Sequence, residues 1–441
     1  MSRRIPVSLL RAALGALLAA LAPLASRSSP GDSLVQDFGG APLAAQAGPV
    51  AALRALQAHG DARLQYEGPQ GYLASLLRSL HVPVSSQTLV FSKTSSQVDL
   101  ISPKTPRAVY FTDDVYVAWI PSSDVVELSE VDPIKGAVFY TVDEHNRETA
   151  VFREHSECLQ CHQGLHTRGV PGHMVMSTLT APDGHLVARV EEYQGGHRSP
   201  LRVRWAGWYV TGTCEGDSHL GNAFTTDLAY PRGTNPPAGT ILTDLSSRFD
   251  TSRYLAPSSD IVALLVLEHQ VQMHNLLAHL NKEARLALVP LAARGATPPA
   301  ADAQASLAAS EGFTRAMEAL LVYMLFRDEA PLKGAVQGTS TFTADFTQRG
   351  PFDRRGRSLR DFDLQKRLFR FPCSCLIYSA AFDSLPVEAK SRLWGRLAEI
   401  LRGKDRGAAY AAMSSADRLA IFQILEDTKP EFAAWVANHP A

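Results

Sequence analysis

The sequence predicts an α+β fold, with an antiparallel-sheet domain followed by a mainly α-helical C-terminal half. Three observations lead there. Between Gln87 and Val210, apolar residues recur with a period near two, the pattern of half-buried strands. A short Asp113-Asp114 turn joins two adjacent strand-like runs, as in an antiparallel pair. From Ser259 onward the period lengthens to that of helices, with capping residues at the ends.

The elements follow in chain order. Residues 1–26 place Arg3 and Arg4 before an uncharged apolar stretch from Ala12 to Ala25, with small residues after it. This is the layout of a secretory signal peptide, and the stretch is short for a membrane span. Its removal takes away Arg3, Arg4 and Arg11 and no acid, so the processed chain is mildly acidic and exported to the periplasm or medium. Residues 27–62 are first rich in Ala, Pro, Gly and Ser and read as a linker leading into one helix. Residues 63–250 read as the α+β domain. Its strands are expected at residues 108–111, 115–120, 125–128, 136–142, 174–179, 186–191 and 202–210. Residues 251–441 read as mainly helical. Ser259 or Asp260 caps a helix from Ile261 to about Leu286. Residues 292–308 are Ala- and Pro-rich and read as a loop. Further helices are expected at residues 312–327, 386–402 and 415–426. Gly403 closes the second, Ser414-Ser415-Ala416-Asp417 opens the third, and Pro430 lies beyond its end.

Composition narrows the function classes. The chain has 441 residues, 45% hydrophobic and 20% charged, which describes an ordinary globular protein. Basic and acidic residues number 43 and 44, so no broad basic face for nucleic acid is expected. Five cysteines are too few for a disulfide-stapled miniprotein. No stable membrane span is expected in the mature chain. Phosphate-binding Gly loops, nucleophile elbows and H-E-x-x-H helices are absent from the sequence.

One segment carries sharp chemistry. Residues 157–164 read E-C-L-Q-C-H-Q-G, so Cys158, Cys161 and His162 form C-x-x-C-H, the attachment signature of c-type haem. Two thiols three residues apart on one turn reach the two vinyl groups of a porphyrin, and the adjacent imidazole is held to ligate iron. A compact zinc site from His155, Cys158, Cys161 and His162 competes for the same residues but lacks a second well-spaced ligand pair. A redox C-x-x-C of thioredoxin type lacks its βαβ surroundings. An export signal agrees with haem, since thioethers form outside the cytoplasm.

Through Cys158-Leu159-Gln160-Cys161-His162 the sequence resembles the c-type cytochromes. The resemblance implies one covalent haem c, Cys158 and Cys161 as thioether residues, His162 as proximal ligand, and dependence on c-type haem maturation machinery. It covers the motif and its flanks only, because the motif here follows strands and nearly 280 residues come after it. The whole chain is similar to a group of large, secreted, single-haem bacterial proteins, through residues 204–213 and 268–275. That similarity implies no catalytic roles.

The second axial ligand decides what the haem does. In the helix from Ile261, His269 and Met273 lie at i and i+4 on an apolar face, with His274 one position round. His173, Met174 and Met176 follow the Gly/Pro loop from Gly164 to Gly172, which can wrap the haem, and Met174 and Met176 share one face of a strand. His219 lies in a loop after a strand. As an ordinary reading, each of these is a core or loop residue. Trp205, Trp208 and Tyr209 wall the haem or fill the sheet core. Cys214 with Cys373 or Cys375 can form a disulfide, and the basic run from Arg349 to Arg370 meets propionates, an acidic partner, or nearby acids such as Asp353, Asp361 and Asp363. The function expected from these residues is a monohaem cytochrome passing single electrons to an unknown redox partner. The alternative is a haem enzyme or sensor with an open distal site for peroxide, NO or CO, and a third is a binding protein in which haem is secondary.

Overall fold

The computed structural model describes residues 48–225, 239–292, 299–405 and 407–440. The expected signal peptide and most of the linker lie outside the described residues.

After a leading helix, α1 (Pro49–His59), and a short α2 (Leu73–Ser79), the chain forms a run of strands. They are β1 (Thr88–Val90), β2 (Arg107–Phe111), β3 (Val115–Trp119), β4 (Val125–Asp132), β5 (Gly136–Asp143) and β6 (Phe152–Glu154). These pair antiparallel in sequence order, and β9 (Trp208–Tyr209) adds beside β1 to complete a seven-stranded sheet. Between them lie a short helical turn, α3 (Leu159–His162), and a separate hairpin of β7 (Met176–Thr180) and β8 (Leu186–Gln194). β10 (Gly212–Cys214) pairs with the distant β11 (Val336–Gly338), so the two sequence halves share a small sheet.

The period-two alternation sends side chains to two cores. Tyr110, Val115, Val117 and Leu128 pack with α1, α2 and a segment containing Leu245, Phe249 and Tyr254. Phe111, Tyr116 and Val131 face the other way, onto helices. The chief of these is α4 (Ile261–Ala292). It is buried on nearly every side from Ile261 to Leu277, so the expected apolar face is only part of a fully enclosed helix. Asp260 caps it, accepting from the Val262 and Ala263 amides at 2.8 and 3.2 Å. Ser259, the other cap candidate, instead accepts from Leu89 N and donates to Tyr209 O, binding β1 and β9 together. Around α4 lie α5 (Ala300–Ala309), α6 (Glu311–Met324), α7 (Phe342–Gln348), α8 (Ala380–Asp383), α9 (Val387–Leu401), α10 (Ala408–Ala411), α11 (Ser415–Thr428) and α12 (Pro430–Asn438).

The architecture is therefore mixed, with a large antiparallel sheet and many helices. Several local expectations change. Part of the 292–308 loop is the helix α5, whose run of alanines follows Pro299. Pro430 lies beyond the end of α11, as expected, and also opens α12 at its first turn. The strand expected at 202–210 shrinks to β9 behind a 3₁₀ turn, because Trp205 and Gly207 take left-handed backbone conformations that break an extended run. All five cysteines are free, so Cys214 makes no disulfide with Cys373 or Cys375. The hydrophobic core runs across residue 250, joining β1–β4 to α4 and the later helices.

Candidate haem-attachment site

β6 is the edge strand of the large sheet, and the pentapeptide follows it at once. His155 N extends the ladder by donating to Phe139 O at 2.9 Å. The chain then turns through a 3₁₀ segment, Ser156–Cys158, into α3. Cys158 is half-buried and Cys161 exposed, three residues apart on consecutive helical turns. That spacing puts both thiols on one side of the turn. Burial, and the Glu157 carboxylate beside it, push the Cys158 thiol above its ordinary value. It therefore stands as a neutral thiol near pH 7, a weak nucleophile. Leu165, three residues after the motif, is 97% exposed.

His162 is half-buried, its ring 4.7 Å from that of Phe139. Burial pushes its pKa down, so the ring is neutral. Nδ1 lies 2.9 Å from Gly172 O. A carbonyl only accepts, so Nδ1 carries the proton and Nε2 keeps its lone pair. The Gly172 amide in turn donates to His162 O at 2.9 Å, so one residue holds both the backbone and the ring of His162. The loop that brings Gly172 back is pinned at Pro171, whose carbonyl accepts from Ala137 N of β5. A neutral imidazole with Nδ1–H held by a carbonyl, beside two free thiols, is the donor set a covalently held haem requires.

The zinc arrangement fits less well. Both ring nitrogens of His155 are engaged, with Thr141 Oγ1 and Glu157 Oε1. Among the described residues, no three or more His, Cys, Asp or Glu side chains gather as a metal-ion site.

The distal candidates lie in different surroundings. His269 is 1% exposed and bonded at both nitrogens, to His197 Nδ1 at 2.9 Å and Ser374 Oγ at 2.8 Å. Its ring stacks with Tyr323 and Phe326. This Ser-His-His line is sealed, with Ser374 and His197 also buried, and offers no approach to a substrate. Met273 is wholly buried in the α4 core. His274 is buried with Nε2 2.6 Å from Asp113 O. His219 is 1% exposed and lies edge-on to Trp205, and among the described residues neither ring nitrogen has a hydrogen-bond partner. Burial pushes its pKa down to about 4. Met174 and Met176 are half-buried on either side of buried Val175. Trp205, Trp208 and Tyr209 are core residues, and the Trp208 indole donates to Met176 O.

Among the described residues, five of the eight cations in the basic run form ion pairs within the fold. Arg349 and Arg360 pair with Asp113, Arg354 with Asp427, Arg357 with Asp353 and Arg367 with Asp417.

Of the residues around His162, the sequence reading names His173 and the loop ending at Gly172 but not Phe139, nor Asn275, which holds the His173 backbone. His173 is buried, its Nε2 2.7 Å from Ser129 Oγ, and its ring lies 5.7 Å from Phe139 and 4.3 Å from Tyr116. The one local signal was the Pro171-Gly172 pair directly before His173. No family model matches the chain, and neither a curated protein nor a solved structure is detectably similar to it.

Proposed function

We propose that the chain is an exported monohaem c-type cytochrome that passes single electrons to a redox partner. Cys158 and Cys161 hold the haem and His162 is the proximal ligand. The observation that carries this reading is the His162 ring, neutral, with Nδ1–H committed to Gly172 O and Nε2 left with its lone pair, beside two free thiols at attachment spacing. Bound haem supplies a one-electron iron couple whose potential follows ligand, burial and hydrogen bonding. The chain's own contribution is to fix the imidazole, to keep Cys158 a neutral thiol that needs maturation machinery, and to leave Cys161 and Leu165 at the surface, where a partner approaches closely. Export rests on the basic-apolar-small layout of residues 1–26. Among the described residues, no helix is long and apolar enough to cross a membrane.

A second reading, a haem sensor or enzyme with an open distal position, is favoured by the state of the three candidates on α4. His269 has both nitrogens engaged, His274 has Nε2 engaged, and Met273 is enclosed in the core.

The test is expression in a host competent for c-type maturation. The expected product shows Soret absorbance and a mass increment equal to one porphyrin, both lost in C158A/C161A. A colourless product of unmodified mass overturns the reading. Carbon monoxide added to the reduced protein separates the two functions: an unchanged spectrum favours the carrier, and a large shift favours the open site.

A further inference from the structure

We propose that Asn275, on α4, is the positioning residue for His162, acting through the Gly172-His173 backbone. The inference rests on the reading of His162 as the haem ligand and names the group that sets its orientation.

Asn275 is 1% exposed. Its side-chain oxygen accepts from His173 N at 3.2 Å, and its side-chain nitrogen donates to His173 O at 2.9 Å. One amide thus satisfies both backbone groups of His173, as a neighbouring strand would. Gly172, the preceding residue, lies against the same amide. A β-carbon there would overlap Asn275 Oδ1 and crowd Thr167. Gly172 in turn accepts from His162 Nδ1 and donates to His162 O. The contacts are continuous from the buried helix to the exposed turn: Asn275 fixes His173, which fixes the Gly172 carbonyl, which fixes tautomer and rotation of the His162 ring. Among the described residues, the buried side-chain amide of Asn275 bonds only with the backbone of His173.

The experiment uses the full chain in two forms. In the C158A/C161A background, which carries no thioether, imidazole ¹⁵N shifts report the His162 tautomer. The parent shows a single Nδ1–H form. N275A and G172A each bring in the Nε2–H form, and N275D, which keeps an acceptor for His173 N but loses the donor to His173 O, falls between. The G172A/N275A double variant is less perturbed than the sum of the single ones, because removing the amide makes room for the new methyl group. R396A is the stability control. It loses the ion pairs to Glu318 and Asp405 among the C-terminal helices, so thermal stability falls while the tautomer stays. In the haem-loaded form, N275A has a higher reduction potential than the parent, since a weakened Nδ1–H bond makes the ligand less basic.

A pure Nδ1–H tautomer in N275A, N275D and G172A overturns the proposal, even if all three lose thermal stability. So does an unchanged potential in N275A. If N275A does not fold, N275D and G172A decide. If the parent takes up no haem, the cytochrome reading fails, and the tautomer measurement still judges the role of Asn275.

Discussion

Glu144 sits with its carboxylate against the backbone of Gly71 and accepts from the Tyr72 amide at 3.2 Å. Burial pushes its pKa up to about 7. In the unfolded chain the same group ionises in the ordinary carboxylate range, near 4.5. Between those values the folded state keeps a proton that the unfolded state has released, so stability falls as pH rises through this window. Glu268 and Glu329, also pushed to about 7, add to the same decline. E144Q removes one share of it. Urea unfolding from pH 4 to 8 is expected to show the variant gaining on the parent by roughly 1–2 kcal/mol at the upper end; parallel curves would refute this. Legibility from sequence divides sharply at this scale. Cys158, Cys161 and His162 lie within five residues and are read directly. The Glu144–Tyr72 and His162–Gly172 contacts depend on how the chain returns on itself, which no local spacing encodes.

Among the elements, α4 joins most of the others. Asp260 Oδ1 caps its first turn, while Oδ2 accepts from the Thr339 and Ser340 amides near the end of β11. One buried carboxylate therefore starts the helix and fastens a distant strand. D260A leaves these buried amides without acceptors and is expected to cost at least about 2 kcal/mol. The check is a urea midpoint, and an unshifted one would mean that Ser259 takes over as cap. Periodicity and capping foretold α4, α9 and α11; Ser414 does accept from Asp417 N, while the Asp417 carboxylate pairs with Arg367 instead of returning to the cap. Where the sequence reading erred, two local signals competed. At 300–309 the helix propensity of Ala outweighs the breaking effect of the preceding Pro. At 202–210 the aromatic residues suit a strand, but left-handed Trp205 and Gly207 turn the chain.

For the molecule as a whole, the chemistry-bearing motif and the residue that braces it belong to different halves of the sequence. The sheet contributes Phe111, Tyr116 and Val131 to the core in which α4 is enclosed. A chain ending at residue 250 would leave that sheet face bare. It is expected to lack cooperative unfolding and native near-ultraviolet dichroism, whereas a sharp two-state transition for this fragment would show the sheet to be self-sufficient. The paired arginines Arg349 and Arg360 act across the same divide, tying the run from Arg349 to Arg370 to the β2–β3 turn at Asp113. A mixed fold was legible from the change in period along the sequence, but not that the two textures would enclose a common core. This has a consequence for order in time. During synthesis, Cys158 to His162 leave the ribosome well ahead of Asn275, so the nascent pentapeptide is first presented on an unbraced loop. On the proposed export route the same order holds at the membrane, so maturation enzymes outside the cytoplasm would meet the thiols on a pliable loop before the long helix sets the imidazole.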